Sequence, residues 1–60
     1  MERLKVLVVD DESRMRKLVS DFLVKNNYDV LEAADGEAAV DMFLTNKDIE
    51  DIYVNNRFSE

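Results

Sequence analysis

Three acids in a row, Asp10-Asp11-Glu12, follow the apolar run Val6-Leu7-Val8-Val9 without a break, and theirs is the type and spacing in this chain that could do chemistry. Adjacent carboxylates can hold a hard divalent cation; magnesium takes one or two of them and keeps several of its waters. Their placement adds to this, because ligands of open α/β sheets bind beyond the carboxyl ends of the strands. The same acids could do no more than complement the dipole of a following helix and cap its free N–H groups, at about 0.3–1 kcal/mol each. The cluster by itself does not choose between the two.

Composition removes other chemistry. Cysteine and histidine are both absent, which excludes disulfides, a zinc cluster and any thiol or imidazole nucleophile. With 14 acids against 8 bases the net charge is −6, so the chain repels phosphate backbones and anionic membranes, and direct nucleic-acid binding is not expected. No apolar run is long enough to span a bilayer and no signal peptide opens the chain, so a cytoplasmic location is expected. Hydrophobic residues at 47% and charged ones at 37% are a globular composition. Sixty residues are few for a self-sufficient core, since folding at this size removes only roughly 60% of the unfolded chain's surface. Without disulfides or zinc, a partner chain is the expected support.

The elements that must position the acids are legible. The unalternating run suits a strand buried on both faces, β1 over 4–9. Ser13 offers an N-cap, and Met15, Leu18, Val19, Phe22 and Leu23 recur at helical spacing, predicting α1 over 13–26, closed by Asn26-Asn27. Lys17, Asp21 and Lys25 fall at spacings of four on its outer side. Val30 and Leu31 centre an edge strand, β2, over 29–34. Asp35-Gly36 marks a turn, where the one glycine is expected to supply unusual backbone angles, and α2 follows over 37–46 with Ala39, Val40, Met42, Phe43 and Leu44 as its apolar side. Met15, Phe22, Met42 and Phe43 are expected in the core. A short β3 over 51–55 would start from Ile52-Tyr53-Val54 before Asn55-Asn56-Arg57 cuts it off. Strand and helix alternate, so the expected class is α/β with a parallel sheet.

Lys5-Val6-Leu7-Val8-Val9-Asp10-Asp11-Glu12, the helix after it, Asn27-Tyr28-Asp29-Val30 and Ala33-Ala34-Asp35-Gly36-Glu37-Ala38 together resemble the first half of a response-regulator receiver domain, over about Leu4 to Asp48. The resemblance implies a flavodoxin-like fold and phosphorelay signalling. In that family a histidine kinase or phosphotransfer protein passes a phosphoryl group to an aspartate ending the third strand, beside a magnesium ion. By resemblance Asp10 and Asp11 are the metal-side pair, Asp11 the more direct ligand and Asp10 acting partly through water, with no role for Glu12. Counted forward, the acceptor position falls on Val54, or on Asn56 if two residues are added, and neither is a carboxylate. Asp51 precedes the apolar triplet and is not a convincing acceptor. No catalytic residue is therefore expected, no enzyme activity, and only a partial magnesium site.

Arg14, Arg16 and Lys17 form a basic cluster on α1, expected as a solvated helix face, with partner docking as the sharper reading. The Ser or Thr and the Lys that the family places on later strands have no counterpart here, so a truncated or partial receiver is expected. Half a sheet leaves an open edge, and a two-fold homodimer that completes it is the simplest outcome. The alternative function is a phosphorylation-independent interaction module that binds a kinase or a full receiver. An enzyme of another α/β phosphotransfer family fits less well, because Asp10-Asp11-Glu12-Ser13 lacks the alternating nucleophile and acid such enzymes use.

Overall fold

A computed structural model describes residues 3–55. Five elements follow in order: β1 (Lys5–Val9), α1 (Ser13–Lys25), β2 (Asp29–Ala33), α2 (Gly36–Thr45) and β3 (Ile49–Val54). The strands form one parallel sheet in the order β2-β1-β3. This is the expected α/β class and half of a flavodoxin-like sheet. Parallel neighbours need a crossover, and each crossover here is a helix.

Val6, Leu7, Val8 and Val9 of the central β1 are all buried. Side chains alternate across a strand, so Leu7 and Val9 face one side and Val6 and Val8 the other. Leu7 and Val9 join Ala33 in a core that Leu31, Ala38, Ala39, Met42 and Ile49 pack against, which places α2 on that side. α1 packs on β1 and β2 from the opposite face, while β3 receives little from either helix.

The helix ends are set by local chemistry. At the end of α1, Asn27 adopts φ 70°, the left-handed conformation expected of it. Its N–H donates to the Val24 carbonyl at 3.0 Å and the Tyr28 N–H to the Leu23 carbonyl at 3.0 Å, so the last turn is closed by two bonds. Asp35 caps α2, its Oδ1 accepting from the Ala38 N–H at 2.8 Å.

Several expectations are corrected. Ser13 is the first helical residue rather than the cap; Glu12 takes that place, without a side-chain capping bond. Gly36 has no positive φ, and a Cβ there would meet nothing within 4 Å, so no unusual backbone angle explains the glycine. β3 starts earlier than expected, at Ile49, because a bulge accommodates Glu50: Lys5 pairs with Ile49, but Val6 pairs with Asp51. The predicted apolar face of α1 is split. Arg16, Val19, Ser20 and Leu23 are its shielded positions, whereas Met15, Leu18 and Phe22 are exposed, Phe22 at 65%. Of the four residues expected in the core, only Met42 is there; Phe43 is exposed with Val40 and Leu44. The cause is width. Strands are roughly 4.8 Å apart and a helix about 10 Å across, so three strands cover only part of each helix's apolar arc.

Candidate functional site at the carboxyl end of the sheet

Val9 pairs with Val54, so the residues that follow them, Asp10 and Asn55, emerge side by side. The Asn55 N–H donates to the Val9 carbonyl at 3.0 Å, carrying the ladder one residue past the strand. Its side-chain Nδ2 donates to Asp10 Oδ2 at 2.9 Å. The other carboxylate oxygen, Oδ1, accepts from the Glu12 N–H at 2.9 Å. The main chain of Asp10 is also engaged: its N–H donates to the Ala33 carbonyl at 3.1 Å and its carbonyl accepts from Arg16 Nη1 at 2.8 Å. Asp10 is 1% exposed. A carboxylate at that depth is tolerable because every one of these groups is paired.

Arg16 braces the site from α1. Besides the Asp10 carbonyl, its Nε reaches Glu32 Oε1 on β2 at 3.1 Å, so one guanidinium ties the end of β1 to its neighbouring strand. This half-buried tie corrects the reading of Arg16 as part of a solvated or docking face. Arg14 and Lys17 are exposed, Lys17 lying 3.6 Å from Asp21.

The structure brings Asp10 together with Asn55, which was not among the expected site positions, and keeps Val54 and Asp51 away from it. Asp11 is exposed at the rim next to Asp10. Val54 ends β3 with its side chain on the α2 side, in the same rung as Val9, and is not at the acid cluster. Asn56 lies outside the described residues. Asp51 is paired with Val6 far from Asp10, its Oδ1 accepting from the Ile52 N–H at 2.9 Å. Counting residues set Val54 beside Asp10, whereas the pairing sets Asn55 there, and the bulge is why. Counted from Lys5↔Ile49 without interruption, Asp10 falls opposite Val54; the extra residue at Glu50 makes it Asn55. Asn55 and Arg16 are the two site residues that sequence reasoning missed. Only the pairing register, not residue type, could have pointed to the first.

The donors here suit magnesium in kind, two carboxylates at one strand end. The buried one, however, is already spent on two N–H donors, and the residue across from it is an amide. Among the described residues no three acid side chains converge to hold a metal ion. The residues present therefore fit a resident ion poorly.

Known proteins share this segment. The chain is 44% identical over 43 residues to a probable transcriptional regulator, ycf27, of Porphyridium aerugineum, spanning 72% of this chain and 18% of that protein. It is 47% identical over 36 residues to the transcriptional regulatory protein ResD of Bacillus subtilis, 60% of this chain and 15% of that one. A chemotaxis protein CheY homolog of Campylobacter jejuni is 42% identical over 48 residues, 78% of this chain and 37% of the relative. These relatives are response regulators, alike over most of this short chain, and the likeness supports a receiver domain. The chain spans only 15% to 37% of the length of these relatives. No family model matches it, and no solved structure does. In this chain the end of β1 and the end of β3 meet through the hydrogen bond between Asp10 and Asn55.

Proposed function

We propose that this chain is a partial receiver of the two-component phosphorelay class that does not itself accept a phosphoryl group. One observation carries the reading: the side chain hydrogen-bonded to Asp10 from the end of β3 is the amide of Asn55, at 2.9 Å. An acyl phosphate forms on a carboxylate oxygen, and an amide nitrogen or carbonyl offers no equivalent nucleophile at neutral pH. The protein is then a signalling component rather than an enzyme. Its partners are a histidine kinase or phosphotransfer protein, and its compartment is the cytoplasm. Asp10 and Asp11 supply at most a weak magnesium site, in which the ion has to displace the Asn55 amide from Asp10. The test is incubation of the chain with acetyl phosphate and magnesium, followed by intact-mass measurement, with an acceptor-bearing receiver as positive control. No stable addition is expected. A gain of one phosphoryl group on this chain would refute the reading.

A second reading is favoured by the bare flank. Met15, Leu18 and Phe22 on α1 are exposed, and Val40 and Phe43 on α2 lie with Ile52 on β3, a strand edge unpaired among the described residues. Such a flank suits a phosphorylation-independent interaction module, or a two-fold homodimer that joins the β3 edges. Capture of a kinase or receiver that survives Asp11→Ala and is lost on Phe22→Glu favours the module. A melting temperature that rises with protein concentration favours the dimer.

A further inference from the structure

We propose that Asn55 is an internal replacement for a cation at Asp10, so that the end of β3 is fastened to the end of β1 without a metal ion. The inference concerns the pocket's own stability and holds whether or not the chain acts in a phosphorelay. It starts from the satisfied state of Asp10. A carboxylate 1% exposed needs partners for both oxygens. One is held by the Glu12 N–H, which belongs to the turn into α1. The other is held by Asn55 Nδ2, 45 positions along the chain. An aspartate in the place of Asn55 would donate nothing and would set a second negative charge at hydrogen-bond distance from Asp10. Such a pair is relieved only by a cation or a proton. The amide does that work from within, as a neutral donor. It also works at no cost in register, because the Asn55 N–H is already on the Val9 carbonyl. Backbone and side chain of one residue thus pin the last rung of a strand that the helices barely cover.

The geometry commits the pocket to a metal-indifferent state, and the consequence is a reversal of ion dependence on one substitution. Asn55→Asp should be destabilised in chelator and recover with millimolar magnesium, whereas the natural chain should melt at nearly the same temperature in both. In chelator the folding equilibrium constant of Asn55→Asp should fall roughly tenfold to a hundredfold, the scale of an unsatisfied buried charged group. Asn55→Ala should fall comparably and gain little from magnesium, since it removes the donor without adding a ligand. The exchanged pair, Asp10→Asn with Asn55→Asp, restores one amide facing one carboxylate with the bond reversed, while the amide oxygen at 10 still accepts from Glu12. It should recover metal-free stability relative to Asn55→Asp alone.

Each variant is read by urea unfolding of the full chain at fixed concentration, and by hydrogen exchange at the residue-55 amide. If Asn55→Asp does not fold in chelator, its folding on magnesium addition counts as the same result. If it folds under neither condition, the exchanged pair decides: recovery supports the inference and failure overturns it. The inference is also overturned if the natural chain gains as much from magnesium as Asn55→Asp does, or if Asn55→Asp in chelator is as stable as the natural chain.

Discussion

β1 and β3 lie side by side in parallel and both are rich in branched apolar residues, yet four of the five β1 residues are buried and five of the six in β3 are exposed. Leu7 and Ile52 share a rung and a face, at 1% and 45% exposure. Apolar character does not separate them; neighbours do. β1 has a strand on each side and a helix on each face, whereas among the described residues β3 has one strand, a bulge at its start and little helix cover. Beyond its backbone ladder with β1, β3 is tied by side chains at its two ends, by the Asn55–Asp10 bond at one and the Lys5–Asp48 ion pair just before the other.

The largest effect that could break this contrast is a matched truncation on the shared rung. Leu7→Ala should cost about 2–5 kcal/mol, the range for deleting a buried leucine. A chain this short has a total stability of the same order, at roughly 0.05–0.15 kcal/mol per residue, so its cooperative urea transition should be lost. Ile52→Ala removes a half-exposed side chain and should cost less than about 1 kcal/mol. Equal losses at the two positions would mean that β3 is covered in solution, as it would be against a second copy.

A smaller effect tests the helix cover over β1. Ser20 is buried on the sheet-facing side of α1, and its Oγ has no hydrogen-bond partner among the described residues. A hydroxyl in that state costs about 1–3 kcal/mol. Its small size suits close helix–sheet approach, but alanine is as small and a better helix former. Ser20→Ala should therefore raise stability by about 1 kcal/mol, seen as a higher urea midpoint with an unchanged slope. Leu18→Ala, on the exposed flank of the same helix, should change the midpoint far less. A fall in the Ser20→Ala midpoint would mean that the inner face of α1 is wetter than the buried strand beneath it requires.

The same contrast explains how far the sequence could be read. β1 was legible because an unbroken Val-Leu-Val-Val run has one comfortable environment, and the Asn26-Asn27 end of α1 because few side chains adopt φ 70°. The acid pair was legible as a place: Asp10 does sit at the carboxyl end of the central strand. Periodicity showed that α1 has an apolar arc spanning Met15 to Leu23, but not that the sheet is wide enough to cover only the Val19, Ser20 and Leu23 side of it. Asn55 stayed hidden because its role depends on pairing. A bulge at Glu50 is invisible to residue counting, and it moves the site by one position. Arg16 read as one of three cations on a surface, and only the fold shows its guanidinium within reach of the Asp10 carbonyl and Glu32.

The smallest effect concerns the entry to β3. Lys5 Nζ lies 3.0 Å from Asp48 Oδ2, linking the first residue of β1 to the residue before β3. The Lys5 hydrogen bond, then the Asp48 backbone N–H, hold this carboxyl below its ordinary 3.8. A carboxyl whose folded value is depressed contributes its stability in full above the unfolded value, and loses it as pH falls through the folded one. Asp48 is exposed, so solvent and salt screen the pair and the contribution is small. Asp48→Asn should therefore lower the urea midpoint slightly at neutral pH and low salt. The difference from the natural chain should close as the solution is taken well below pH 3.8, or when salt is raised at neutral pH. If the gap instead widens in acid, the lysine is not what holds Asp48, and the start of β3 is fastened by backbone pairing alone.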